Sequence, residues 1–114
     1  MKNKPGDSVR IQHILDAINE IELYTEGITF DGFMKNSMMR FACIKQLEII
    51  GEAAKRVTEE LKHKYPHINW REIVGLRNIL IHEYFGIDER IVWEIIQNDI
   101  PKLKSNLKPL IIEI

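Results

Sequence analysis

The stretch Gly75-Leu76-Arg77-Asn78-Ile79-Leu80-Ile81-His82-Glu83-Tyr84-Phe85-Gly86 decides how this chain is read. Leu76, Ile79, Leu80 and Ile81 describe a helix that is apolar over most of its circumference, and such a helix is buried on several sides. Arg77 and His82 are costly there unless each is paired or borders a wet cleft. At about 100° per residue, Arg77 and Tyr84 share one stripe, offset by about 20°, whereas His82 lies about 140° round from Arg77. Either the helix loosens near His82, as the approach to Gly86 would allow, or the cleft is wide and shared between two copies. A buried arginine and histidine also serve as satisfied core or interface residues, and that reading stands beside the catalytic one.

Composition sets the outer bounds. The 114 residues fit one domain (1–114) with one core. A formal net charge of -1 argues against coating nucleic acid through bulk positive charge, although a local basic site remains open. Cys43 is the only cysteine, which excludes an internal disulfide and fits a reducing cytoplasm. The first seven residues have no apolar core of a signal peptide, and no apolar run approaches the ~18 residues of a membrane span.

Outward from the central stretch, helical periodicity covers the chain. Residues 1–6 read as a frayed lead-in, with Asp7 or Ser8 as the N-cap of a first helix. Ile11, Ile14, Leu15, Ile18, Ile21 and Tyr24 form its apolar stripe, and Gly27 is its stop. Residues 29–36 read as a loop holding one helical turn, with Phe30 and Phe33 as core plugs. A second helix runs from Asn36 or Ser37 to Val57 on the stripe Phe41, Ile44, Leu47, Ile50, Ala54 and Val57. Gly51 costs about 1 kcal/mol there, which a close helix crossing at Gly51, Ala53 and Ala54 would justify. Glu52, in the same patch, is open between a solvated carboxylate and a partner for Arg77 or another cation.

Residues 58–65 form a short charged helix ended by Pro66. Asn69 with Glu72 resembles a capping box for the third helix, which carries the central stretch. Asp88 caps a fourth helix with Ile91, Val92, Trp93, Ile95 and Ile96 inward, and Pro101 kinks or restarts it before Leu103, Leu107, Leu110 and Ile111. The fold class is all-α: an antiparallel four-helix bundle with short extra helical segments.

Phosphate loops and cysteine pairs are absent from the sequence, and His63, His67 and His82 are too scattered for a matched metal set. Metal and cofactor are expected to be none. Histidine exchanges protons near neutrality, and arginine meets the bidentate geometry of a phosphate. Together Arg77 and His82 suit attack on an RNA phosphodiester, where the 2′-hydroxyl supplies the nucleophile. Asn78 can orient the histidine or a phosphate oxygen. Tyr84 can donate to a phosphate or accept a modification.

Arg77, His82 and Tyr84 form Arg-x-x-x-x-His-x-Tyr, and the whole pattern resembles HEPN-domain proteins of the HepT-like ribonuclease toxin family. Ile49-Ile50-Gly51-Glu52-Ala53-Ala54-Lys55, Tyr65-Pro66-His67-Ile68-Asn69-Trp70-Arg71-Glu72-Ile73, Val92-Trp93-Glu94 and Asp99-Ile100-Pro101-Lys102-Leu103 carry the resemblance across nearly the whole chain. It implies a HEPN bundle that forms a homodimer, with two Arg/His pairs at a shared cleft. It implies a metal-independent endoribonuclease acting through Arg77 and His82 as the toxin of a type VII toxin–antitoxin system. The implied partner is a minimal nucleotidyltransferase antitoxin that attaches AMP to Tyr84, making a phosphoprotein. The alternative from the same resemblance is a non-catalytic, nucleotide-binding HEPN bundle serving as a regulatory subunit of a nucleotidyltransferase.

Overall fold

The computed structural model describes residues 5–82 and 88–114, with side chains in the central helix described as far as Leu76. Every regular element among them is helical: α1 (Pro5–Thr25), α2 (Phe30–Met34), α3 (Ser37–Arg56), α4 (Glu59–Lys64), α5 (Trp70–His82), α6 (Glu89–Glu94) and α7 (Ile100–Glu113). A π-helical turn, Ile95–Asp99, joins α6 to α7. The all-α reading holds. None of the helices is long and apolar enough to cross a membrane among the described residues.

The periodicity that predicts α1 is realised: Ile11, Ile14, Ile18 and Ile21 are wholly buried. Gly27 adopts φ +70°, the left-handed conformation that lets the chain turn away after the helix. The start differs. α1 begins at Pro5, where a missing N–H costs nothing. Asp7 therefore lies inside the first turn and caps another element. Its carboxylate accepts from Thr58 N at 3.0 Å and from Thr58 Oγ1 at 2.6 Å. Thr58 is the N-cap of α4 and accepts from Leu61 N at 3.3 Å.

α3 lies between α1 and α5, and α7 packs along α1. The α3 core residues Ile44, Leu47, Ile50, Gly51, Ala53 and Ala54 are buried, as expected. Phe41 is a correction: it is 66% exposed, one of a surface group with Met38 at 79%. Its place in the stripe lies a turn before Ile44, where the described residues do not cover it. The single turn expected in 29–36 is α2, capped by Thr29, whose Oγ1 accepts from Gly32 N at 3.1 Å. It seats Phe33, wholly buried, against Trp93 at 5.0 Å between ring centres.

Along α6 the inward set is corrected as well. Val92, Ile95 and Ile96 are buried, Trp93 is half-buried, and Ile91 is exposed. Phe30 and Phe33 take up Trp93, and Arg90 stands over the Phe30 ring at 5.5 Å. Pro101 does restart the helix. It cannot donate a helical hydrogen bond, and the chain widens into the π turn just before it, where Ile100 N bonds to Ile95 O. Lys104 Nζ then reaches Glu22 Oε1 at 2.6 Å, tying α7 to α1.

Candidate functional site

α5 is the element that carries the predicted chemistry, and its first turn is fixed by local rules. Asn69 Oδ1 accepts from Glu72 N at 3.1 Å, and Asn69 Nδ2 donates to Glu72 Oε2 at 3.0 Å. The capping box is therefore formed, with the glutamate returning to the side-chain amide rather than to the backbone. Trp70 is buried and its Nε1 donates to Tyr65 O at 3.1 Å, which locks the α4–α5 link onto the helix. Tyr65 in turn donates to Glu113 near the end of α7. That bond, with burial and the nearby negative charge adding to it, raises the Tyr65 phenol above its ordinary range.

Trp70, Ile73 and Leu76 form the buried side of α5, which packs against α3. Helical register places Arg77 on this stripe, about 20° from Trp70 and about 40° from Ile73. The helix runs as regular α through His82. His82 therefore keeps its offset of about 140° from Arg77 and stands about 7.5 Å further along the axis. The alternative in which the helix loosens near His82, on the approach to Gly86, falls on residues outside those described. By register Asn78 falls on the same side of the helix as Arg71 and His82, about 20° and 40° from them. Tyr84 lies outside the described residues.

His82 shares its stripe with Arg71 and Gly75, offset by about 20° from each. Arg71 and Gly75 line a groove of about 850 Å³ between α4 and α5. His63 and His67 line this groove, so two of the three scattered histidines come together there. No group of three metal-ligating side chains converges among the described residues. Glu52 is half-buried and has an interaction partner. Cys43 is wholly buried in α3, and burial pushes its thiol up to about 11, so it is a small core hydrophobe.

With that arrangement in place, comparison with known proteins is decisive for the family. The family described as "Ribonuclease HepT-like" matches residues 14–110. The chain belongs to the HepT-like ribonuclease family. A protein of Methanocaldococcus jannaschii named "Putative RNase MJ1380" is 44% identical over 95 residues, 83% of this chain and 87% of that one. "Probable ribonuclease HepT" of Thermococcus cleftensis is 42% identical over 100 residues, covering 88% of this HepT-like chain and 91% of its own. A longer M. jannaschii protein, "Gamma-glutamylcyclotransferase and putative RNase MJ0434", is 42% identical over 106 residues, 93% of this chain but 48% of its own length. No solved structure matches.

Proposed function

We propose that this HepT-like protein is a metal-independent endoribonuclease and the toxin of a toxin–antitoxin pair. The observation that carries the reading is Arg77, Asn78 and His82 on one continuous helix of a chain that belongs to a ribonuclease family. The reaction needs little from the protein. The RNA 2′-hydroxyl loses its proton and attacks the adjacent phosphorus; the 5′-oxygen of the next nucleotide leaves and takes up a proton. The products are a 2′,3′-cyclic phosphate and a 5′-hydroxyl. His82 is the group that moves a proton near neutral pH, and Arg77 balances the charge on the phosphorane. Asn78 supports by orienting the imidazole or a phosphate oxygen.

Residues 1–114 form a single HEPN domain in this reading, folded as an antiparallel four-helix bundle. The match to about half of a longer relative supports a unit of this size. The bundle pairs as a homodimer. Two features support pairing: the offset of about 140° between the Arg77 and His82 positions on a regular helix, and the exposed apolar residues Met34, Met38 and Phe41. Apolar surface of this kind is the usual signature of a contact between proteins. The partner that restrains the toxin is a minimal nucleotidyltransferase that adds AMP to Tyr84, in the cytoplasm. The added anion would compete with RNA phosphate for Arg77.

The test is RNA cleavage by the purified, unmodified protein in EDTA beside His82→Ala, with the product ends identified. Cleavage by the parent alone, leaving 2′,3′-cyclic phosphate, is the expected result. A folded protein that cuts no RNA class would overturn the enzymatic reading.

A further inference from the structure

The groove between α4 and α5 has a lining that the catalytic reading does not use. Lys62, His63, His67 and Arg71 supply its basic side chains, while Val74 and Gly75 line it on α5. Among the described residues, one carboxylate lines the groove with them: Glu59, which pairs with Lys62 at 3.6 Å. His63, His67 and Arg71 are exposed, and Arg71 has no hydrogen bond or ion pair among the described residues.

Gly75 is the second, independent observation. It lies inside a helix, where glycine is less favourable than alanine. A Cβ built on it would meet nothing within 4 Å, so no internal packing calls for glycine there. A bare backbone lining a groove lets a ligand approach closely. The spacing Arg71, Gly75, Asn78, His82 is four, three, four, which keeps one line along α5. That line is about 17 Å long at 1.5 Å per residue. It matches roughly five stacked nucleotides at ~3.4 Å each.

We infer that this groove seats the single-stranded RNA flanking the scissile phosphate, with Arg71 on a phosphate and the sugar–phosphate backbone crossing close over Gly75. This rests on the reading that the protein acts on RNA, and assigns the strand a path along α5 towards His82. Arg71 is a positioning residue here.

The experiment measures binding of a labelled single-stranded oligoribonucleotide of about twelve nucleotides, a usual site size for such strands. It uses full-length His82→Ala, alone and combined with Arg71→Gln or Gly75→Ala, over a range of salt. Both combinations are expected to weaken binding several-fold. Arg71→Gln should also flatten the slope of log affinity against log salt by about 0.7, the value for one phosphate contact on a single strand. Gly75→Ala should raise the melting temperature while it weakens binding, a combination that a purely structural glycine would not give. Unchanged affinity and slope in both variants would overturn the inference, as would a parent that binds no RNA. It would also fall if an acidic protein partner lost affinity and RNA did not. Cleavage is read separately. A protein that cuts RNA but ignores the groove variants keeps its proposed activity and loses this path; one that binds through the groove without cutting does the reverse.

Discussion

Asp7 in the first turn of α1 holds Thr58 by both its backbone N–H and its hydroxyl, across fifty-one residues of sequence. The carboxylate is 2% exposed, so its hydrogen bonds replace water rather than compete with it. Asp7→Ala strands the Thr58 N–H and loosens the N-cap of α4. A loss of about 1–3 kcal/mol is expected in urea unfolding. Thr58→Ala should cost less when Asp7 is already gone, because the two belong to one network. Additive losses would break that account.

Phe33 joins α2 to α6 through Trp93. It is the largest wholly buried side chain of the described core. Phe33→Ala should cost about 3–5 kcal/mol, the range for emptying a packed aromatic site. Phe41→Ala, on the exposed side of α3, should leave monomer stability within about 0.5 kcal/mol. The pair of unfolding curves tests the packing directly.

Burial of Cys43 makes stability fall at alkaline pH. The unfolded thiol ionises near its ordinary 9.0, the folded one near 11. Below pH 9 both states keep the proton and the contribution is whole. Between about 9 and 11 only the unfolded chain loses it, so unfolding gains. Tyr65, raised in the same direction by its bond to Glu113, adds to the fall above its ordinary 10.0. The urea midpoint of the parent should drop more steeply across this range than that of Cys43→Ala. Equal slopes would sink the assignment to Cys43.

Phe41→Asp places a charge in the exposed Met38/Phe41 face. If that face is where two copies meet, light scattering should read a monomer at concentrations where the parent is a dimer. A dimer of unchanged affinity would move the contact elsewhere.

Tyr84→Phe removes the hydroxyl and nothing else. The proposed modification predicts that this variant still cuts RNA but no longer accepts AMP from a nucleotidyltransferase. AMP incorporation equal to the parent's would exclude Tyr84 as the acceptor.

Much of the fold was legible because period and caps point the same way. Ile11 to Ile21 gave α1 and Asn69 with Glu72 gave the start of α5, since both signals are local. Phe41 and Ile91 were misplaced because an apolar residue at the right spacing says nothing about whether a neighbour reaches it. The choice of Asp7 or Ser8 as the cap of the first helix misses Thr58, because no local pattern announces a partner fifty-one residues away. The π turn was half legible: Pro101 marks a break, but not its form. At the site, the helix that carries Arg77 and His82 is legible from its apolar period and its Asn69/Glu72 start. The groove beside them was not legible, because His63 and His67 meet α5 only after α4 folds back.

The uninterrupted register of α5 makes its length unforgiving. Deleting one residue between Gly75 and His82 would turn everything beyond it by about 100°, carrying His82 off the line of Arg71 and Gly75. Where α6 meets α7 an extra residue is already housed in a wider turn, because that junction only has to keep Val92 and Ile100 inside. In descent from a common ancestor, insertions and deletions should therefore gather at the α6–α7 junction and at the α1–α3 connection, and be absent between Trp70 and His82.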